Sequence, residues 1–175
     1  MSGVSGSSDA EAIVIAGANG AGKTTFAREL LPALYPDIPF LNVDEVQTEG
    51  APFAHPVAAG REVLRRLGAS ERRRESFAIE TTLSSAMYAR RIKSWKTWGY
   101  QVSLHFIELP SEDFAVRRVA MRVAAGGHSV PEVDVRRRYH RGLVLFEQLY
   151  KLLVDEWYHW FSDDEGLRLG QHAER

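Results

Sequence analysis

Residues 17–24 read Gly-Ala-Asn-Gly-Ala-Gly-Lys-Thr and match the pattern G-x-x-x-x-G-K-[ST] at every fixed position. An apolar, β-branched run over 12–17 leads into this stretch, and helical sequence leads out of it from Lys23. Glycines permit the positive φ values with which successive backbone N–H groups form one concave anion site. The N-terminus of the following helix adds partial positive charge. The stretch, called the P-loop below, therefore predicts a binding site for the phosphates of a nucleoside triphosphate.

The motif also predicts individual roles within this site. Lys23 is expected to reach the β- and γ-phosphates, and the Thr24 hydroxyl is expected to bind Mg²⁺. The predicted cofactor-binding residues of the loop and the start of its helix are Gly17, Asn19, Gly20, Ala21, Gly22, Lys23, Thr24 and Thr25.

Strands and helices alternate along the rest of the chain. Strands are predicted over 12–17, 39–43, 77–79, 101–109 and 157–161. Helices are predicted over 23–34, 53–75, 84–98, from 112 to before Gly126, and from Ser129, in capping-box spacing with Glu132, to 154. This order predicts an α/β fold of the P-loop kinase-like type, an about five-stranded parallel sheet with helices on both faces. We expect a flexible leader over 1–11 and one domain over 12–175.

Composition excludes several classes of protein. The 175 residues include no cysteine, which excludes disulfides, thiolate metal sites and a cysteine nucleophile. Net charge is −1, and no stretch is apolar enough for a membrane helix, so neither a membrane nor nucleic acid is an expected partner. The N-terminus lacks the basic and apolar regions of an export signal, which predicts a cytoplasmic location.

Basic residues are concentrated in the middle of the chain. Residues 61–141 hold 17 basic and 9 acidic residues, and seven of the arginines lie between 117 and 141 on two predicted helices. These helices are joined by a turn containing Gly126 and Gly127, which predicts a hinged lid over about 111–141. Because phosphoryl transfer is accelerated by cations around the γ-phosphate, we expect two or three of the seven to contact phosphate.

Two carboxylates follow predicted strands, at the edge where an open α/β sheet binds its ligands. Asp44 ends the second strand and suits the role of a catalytic base for an attacking hydroxyl, or alternatively that of a helix N-cap. Glu80 ends the third strand and is a candidate for holding metal or the acceptor. The hydroxyls of Thr81 and Thr82 could bind substrate or cap the next helix.

Missing motifs narrow the reaction class. There is no N-K-x-D motif of a GTPase, and no LSGGQ-type motif of a transporter ATPase. A small ATP-dependent kinase is the best fit. A nucleic-acid end kinase, suggested by the basic middle, and a nucleotide-dependent regulatory module with little turnover, suggested by the lack of a Walker-B aspartate, remain the alternatives.

Several segments together resemble the zeta toxin family of P-loop kinases, especially its short free-standing bacterial branch. These segments cover Ile15–Thr25, Asn42–Val46, Phe77–Leu83, Arg118–Val123, Gly126–Pro131 and Arg136–Tyr139. The first variable residues of the P-loop are usually Pro-Asn in this family and are Ala18-Asn19 here.

The resemblance implies a kinase that uses ATP and Mg²⁺ to phosphorylate the 3′-hydroxyl of a UDP-N-acetyl amino sugar. It implies that Asp44 is the catalytic base and contacts the acceptor, together with Glu80 and Thr81. Arg122 and Arg137 would then clamp the γ-phosphate, with Arg118 and Arg136 as the competing register. Because larger members bind a small helical antitoxin, the resemblance also implies an antitoxin as a candidate partner.

Overall fold

The computed structural model describes residues 10–42 and 56–174. Most of the predicted leader lies outside these residues, as does Asp44. The first strand begins at Glu11. The strands are β1 (Glu11–Gly17), β2 (Phe40–Leu41), β3 (Phe77–Thr81), β4 (Gln101–Glu108), β5 (Glu156–Ser162) and β6 (Leu167–Glu174). The helices are α1 (Lys23–Glu29), α2 (Leu31–Leu34), α3 (Pro56–Arg73), α4 (Met87–Thr97), α5 (Glu112–Ala124) and α6 (Glu132–Gln148), with a 3₁₀ turn over Tyr150–Leu152.

The strands form one sheet in the order β2-β3-β1-β4-β5-β6. The first five are parallel, which confirms the predicted α/β kinase-like fold, and β6 pairs antiparallel with β5. β6 is not among the strands predicted from the sequence. Nearly all of its side chains are exposed, and its alternation of apolar and polar residues is limited to 167–169, which is too short to indicate a half-buried strand. Its place is determined by backbone pairing with β5.

Helices cover both faces of this sheet. On one face, α3, α4 and α6 pack over a core that includes Phe77, Trp95 and Phe146. On the other face, α1, α2 and α5 pack over Ile13 and Phe26, among others. Helix α6 contributes side chains to both cores, so it passes over the edge of the sheet near the P-loop. None of the described helices is both long and apolar enough to cross a membrane.

The start of α6 differs from the prediction. The helix begins at Glu132, and its N-cap is Pro131, with no side-chain hydrogen bond to the first turn. The predicted capping box at Ser129 is therefore wrong. Pro131 has an extended ψ of 136°, which ends the turn and leaves Ser129 two residues short of the cap position. The predicted first helix over 23–34 is divided at Leu30 into α1 and α2.

A buried histidine lies between the sheet and α1. The ring of His105 accepts a hydrogen bond at Nδ1 from the indole N–H of Trp160, 3.2 Å away. Because an indole nitrogen can only donate, the proton of the neutral ring is on Nε2, which lies 3.0 Å from the Tyr35 hydroxyl. Burial lowers the pKa of His105 to about 3, so the ring stays neutral in the folded protein at ordinary pH.

This burial predicts a pH-dependent loss of stability. In the unfolded chain His105 takes up a proton below about pH 6.5, whereas in the folded chain it does not until about pH 3. The unfolded state therefore binds more protons in this range, and acidification from pH 7 to pH 5 should cost about 2 kcal/mol through this residue. Urea unfolding of wild type and His105→Gln at both pH values measures the difference in pH slope. Equal slopes would contradict the prediction.

Candidate active site

The backbone of the P-loop takes conformations that only glycine adopts easily. Gly17, Gly20 and Gly22 have φ values of 143°, 82° and 87°. A Cβ atom on Gly17 would also lie 2.4 Å from the carbonyl oxygen of Ile107 on the neighbouring strand. The loop therefore packs against β4 by its backbone. Gly17 is needed for this approach, and all three glycines suit the positive φ values of the loop itself.

Lys23 lies at the start of α1 and folds back over the P-loop. Its Nζ donates hydrogen bonds to the carbonyl oxygens of Gly17, at 3.0 Å, and Ala18, at 2.9 Å. Burial lowers the pKa of this ammonium; nearby Glu80 opposes the decrease, and Arg122 and Arg138 add to it. Two arginines thus lie close enough to Lys23 to affect its protonation. Three positive side chains therefore meet beside the P-loop.

Glu80 and Thr24 meet directly beside Lys23. Glu80 lies in β3, which pairs with β1, and its Oε2 accepts a hydrogen bond of 2.9 Å from the Thr24 hydroxyl. A hydroxyl and a carboxylate oxygen are ligands that suit Mg²⁺, which otherwise keeps water and binds substrate phosphates. No cluster of three or more His, Asp or Glu side chains suited to a metal occurs in the described part of the chain. The Thr24–Glu80 pair fits a magnesium ion that is held jointly with a nucleotide.

Two cavities adjoin at this pair. The first has a volume of about 500 Å³ and is lined by Asn19, Gly20, Gly22, Lys23, Thr24, Thr25, Glu80, Thr81, Thr82, Arg118 and Arg122. The second has a volume of about 350 Å³ and is lined by Asn19, Thr24, Asn42, Glu80, Arg122, His128, Ser129, Val130, Pro131 and Arg138. Most of the predicted site residues thus converge on one region at the carboxyl ends of the strands. Asp44 lies outside the described residues, two positions after Asn42.

Thr81 and Thr82 line the first cavity and also stabilise the loop that follows β3. The Thr81 hydroxyl accepts a hydrogen bond of 3.1 Å from the backbone N–H of Leu83. The hydroxyls of Thr82 and Ser84 are 2.9 Å apart. Neither threonine caps α4, because the N-cap is Ala86 and no side chain bonds to that helix start.

Two arginines of α5 line the cavities. Arg122 lines both cavities, and its Nη2 donates to the carbonyl oxygen of His128 at 2.9 Å. Arg118 lines the first cavity, where it donates to the Ser162 hydroxyl at 3.3 Å and lies over the Phe114 ring. The residue after Ser162 also binds Arg118 through its backbone carbonyl. The β5–β6 turn thus holds Arg118 at the cavity wall.

The positions of the arginines of α6 differ from the roles that the family resemblance implies. Arg137 is about half exposed, pairs with Asp134 at 2.6 Å and lines neither of the two cavities. Arg136 forms ion pairs with Glu112 and Asp113, which tie α6 to α5, and with Glu132 of its own helix. Neither guanidinium is placed beside the P-loop.

Arg138 is the site arginine that the sequence analysis missed. It lines the second cavity, and its Nη1 donates to the Asn19 side-chain oxygen at 3.2 Å. The spacing of position 138 from the buried residues of α6 contains a signal for this placement. The buried residues of α6 are Val135, Gly142 and Phe146, and position 138 lies three after the first and four before the second. Residues at these spacings share a helix face, so Arg138 points inward and Arg137 does not.

Comparisons with known proteins agree with this architecture. The family model described as zeta toxin matches residues 4–152. An uncharacterized protein of Haemophilus influenzae is 28% identical over 129 residues, which cover 74% of this chain and 92% of that protein.

Among solved structures, one from the PezAT chromosomal toxin–antitoxin system of Streptococcus pneumoniae superposes with a TM-score of 0.66 at 15% identity, covering 94% of this chain and 72% of that one. A structure of AvrRxo1-ORF1 with AvrRxo1-ORF2 and ATP gives 0.67 at 17% identity, covering 94% and 58%. At these identities the superpositions establish the fold alone. The family match extends over most of the chain and includes the P-loop, β3, α5 and α6. This chain therefore belongs to the zeta toxin family.

Proposed function

We propose that this protein transfers the γ-phosphoryl group of ATP to a hydroxyl of a UDP-N-acetyl amino sugar. Its family and fold support an ATP-dependent kinase in general, and the AvrRxo1 structure of the same fold contains ATP. The observation that carries the proposal is the convergence of Lys23, the Thr24–Glu80 pair and Arg122 on one cavity. Cations and a magnesium site around one phosphate-binding loop are what phosphoryl transfer requires.

The donor side of the site would bind ATP through the P-loop. Its backbone N–H groups and Lys23 would hold the β- and γ-phosphates, which replace the loop carbonyls that Lys23 contacts here. Thr24 and Glu80 would hold Mg²⁺, which would neutralise part of the phosphate charge. Arg118 and Arg122 line the same cavity and would contact the nucleotide.

We assign the second γ-phosphate arginine to Arg138 in place of Arg137. Arg138 lies close enough to Lys23 to lower its pKa and forms no ion pair among the described residues, whereas Arg137 is occupied by Asp134. A guanidinium that is already paired with a carboxylate on the protein surface has less charge to offer an anion.

The acceptor would bind beside Glu80, Thr81 and Thr82. Asp44 would accept the proton of the attacking hydroxyl. As the oxygen of that hydroxyl bonds to the γ-phosphorus, the bond from this phosphorus to the β,γ-bridging oxygen breaks. ADP leaves with the electrons of that bond. Asn42, two positions before Asp44 in the sequence, lines the second cavity.

Glu80 provides a direct test of the magnesium assignment. We expect Glu80→Gln to lower phosphoryl transfer about 10–100-fold and to raise the Mg²⁺ concentration needed for half-maximal rate, because one charged oxygen beside Thr24 is lost. Initial rates over a magnesium titration measure both effects. Glu165→Gln, an exposed change in the β5–β6 turn, is the matched control. An unchanged magnesium dependence would contradict the assignment.

The acceptor is identified by incubating the protein with γ-labelled ATP, Mg²⁺ and a panel of UDP-sugars, nucleosides and oligonucleotides, with products read by mass spectrometry. We expect a phosphorylated UDP-N-acetyl amino sugar. Labelled oligonucleotide alone would indicate the end-kinase alternative. No labelled product from any acceptor in a single turnover would favour the regulatory module.

An antitoxin partner belongs to the same proposal. The PezAT structure comes from a toxin–antitoxin system, and this chain shares its fold. Growth arrest on expression, relieved by Lys23→Met, would support a toxic role that depends on the P-loop. Arrest that persists in this variant would argue against a role for phosphoryl transfer.

A further inference from the structure

One hydrogen bond joins the P-loop directly to the lid. The side-chain oxygen of Asn19 accepts from Nη1 of Arg138 at 3.2 Å, across 119 positions of the chain. Both side chains line the second cavity, which adjoins the first along the P-loop. The tip of Arg138 is thus held by the loop that is expected to bind the phosphates.

The other end of Arg138 is held by tight packing of α6. A Cβ atom on Gly142, one turn further along the helix, would lie 2.9 Å from the carbonyl oxygen of Thr82. Phe146 of the same face is fully buried and stacks on Phe106 of β4. The backbone that carries Arg138 therefore has little room to move relative to the strand ends. The hydrogen bond to Asn19 then fixes the direction of the long side chain of Arg138.

The chemistry of the contact matters as much as its position. An amide oxygen is neutral, so it can orient a guanidinium without cancelling its charge. The neighbouring arginines of α6 are bonded to carboxylates instead. Among the described residues Arg138 alone of these three forms no ion pair.

We propose that Asn19 is a positioning residue, which holds Arg138 so that its guanidinium meets the γ-phosphate of ATP. The inference rests on the proposed function, because it takes the terminal phosphate of ATP as the group that Arg138 binds. It assigns Asn19 a role that acts through Arg138 and that concerns the terminal phosphate alone. Loss of Asn19 should therefore weaken binding of ATP and leave binding of ADP nearly unchanged.

The test is a double-mutant cycle on nucleotide affinity. Isothermal titration calorimetry with Mg²⁺ measures the Kd of ATP and of ADP for wild type, Asn19→Ala, Arg138→Ala and the double variant. We expect each single variant to lose about tenfold in ATP affinity, the usual effect of one charged hydrogen bond, with less than twofold change for ADP. The double variant should resemble Arg138→Ala, because Asn19 has no function without its partner.

Each of the following outcomes would overturn the inference. Equal losses for ATP and ADP in Asn19→Ala would mean that the residue only maintains the loop, and losses that multiply in the double variant would mean that the two residues act separately. Asn19→Ser, which shortens the side chain and keeps it polar, repeats the measurement if the alanine variant unfolds. Arg141→Ala, an exposed change on the same helix, is the matched control. Wild-type protein that binds neither ATP nor ADP would overturn the proposed function as well, whereas a clear preference for ATP that Asn19→Ala leaves intact would overturn the role of Asn19 alone.

Discussion

Replacing Lys23 by Met should lower phosphoryl transfer at saturating ATP by about 100–1,000-fold, the usual effect of removing one preorganised electrostatic group. Lys23 is the cation nearest the loop backbone, and its Nζ is already directed at the two carbonyls that begin the P-loop. In the transition state, negative charge accumulates on the oxygens around the γ-phosphorus. The fixed ammonium of Lys23 stabilises this charge. Single-turnover rates with labelled ATP measure the effect.

The same substitution should leave the fold intact. Burial lowers the pKa of Lys23, which means that the folded protein holds this charge at a cost, and an uncharged side chain of similar length removes that cost. Urea unfolding should therefore show stability equal to wild type or greater. Lys93→Met, on the exposed face of α4, is the matched control. A kinase that keeps its rate without Lys23 would contradict the proposed donor site.

Replacing Asp44 by Asn should keep ATP affinity and lower phosphoryl transfer by about 100–10,000-fold, the range that general-base catalysis contributes. The amide has nearly the shape of the carboxylate and cannot take the proton of the attacking hydroxyl. A change confined to the rate of the chemical step, with an unchanged Kd for ATP, is the signature of a group that acts in the transition state. Calorimetry and single-turnover kinetics on one preparation separate the two quantities.

Asp37→Asn is the control for this change, because it makes the same substitution at an exposed carboxylate near the end of α2. We expect it to alter neither affinity nor rate. If Asp44→Asn also retains the wild-type rate, the base must be another group, and Glu80 becomes the next residue to substitute because it lines both cavities.

The sequence by itself determined the parts of this protein that depend on local pattern. The P-loop could be recognised because its chemistry needs glycines, a lysine and a hydroxyl at fixed spacings within eight residues. The strand that carries Glu80 could be placed because a buried parallel strand is a short apolar run. Such signals are carried by neighbours in the chain, so one sequence is enough to predict the fold class and the donor side of the site.

The tertiary structure decided which of several similar residues reach the site. Arg136, Arg137 and Arg138 are chemically alike and adjacent, and only the packing of α6 against β3 and β4 directs the third toward Asn19. Two other outcomes have local causes that a pattern of apolar residues does not record: β6 exists through backbone pairing with β5 across a short turn, and Pro131 moves the helix start away from Ser129. The direction of Arg138 depends instead on contacts between segments distant in sequence. A local pattern carries no information about which of those contacts will form, which is the physical reason that the sequence alone did not single out this arginine.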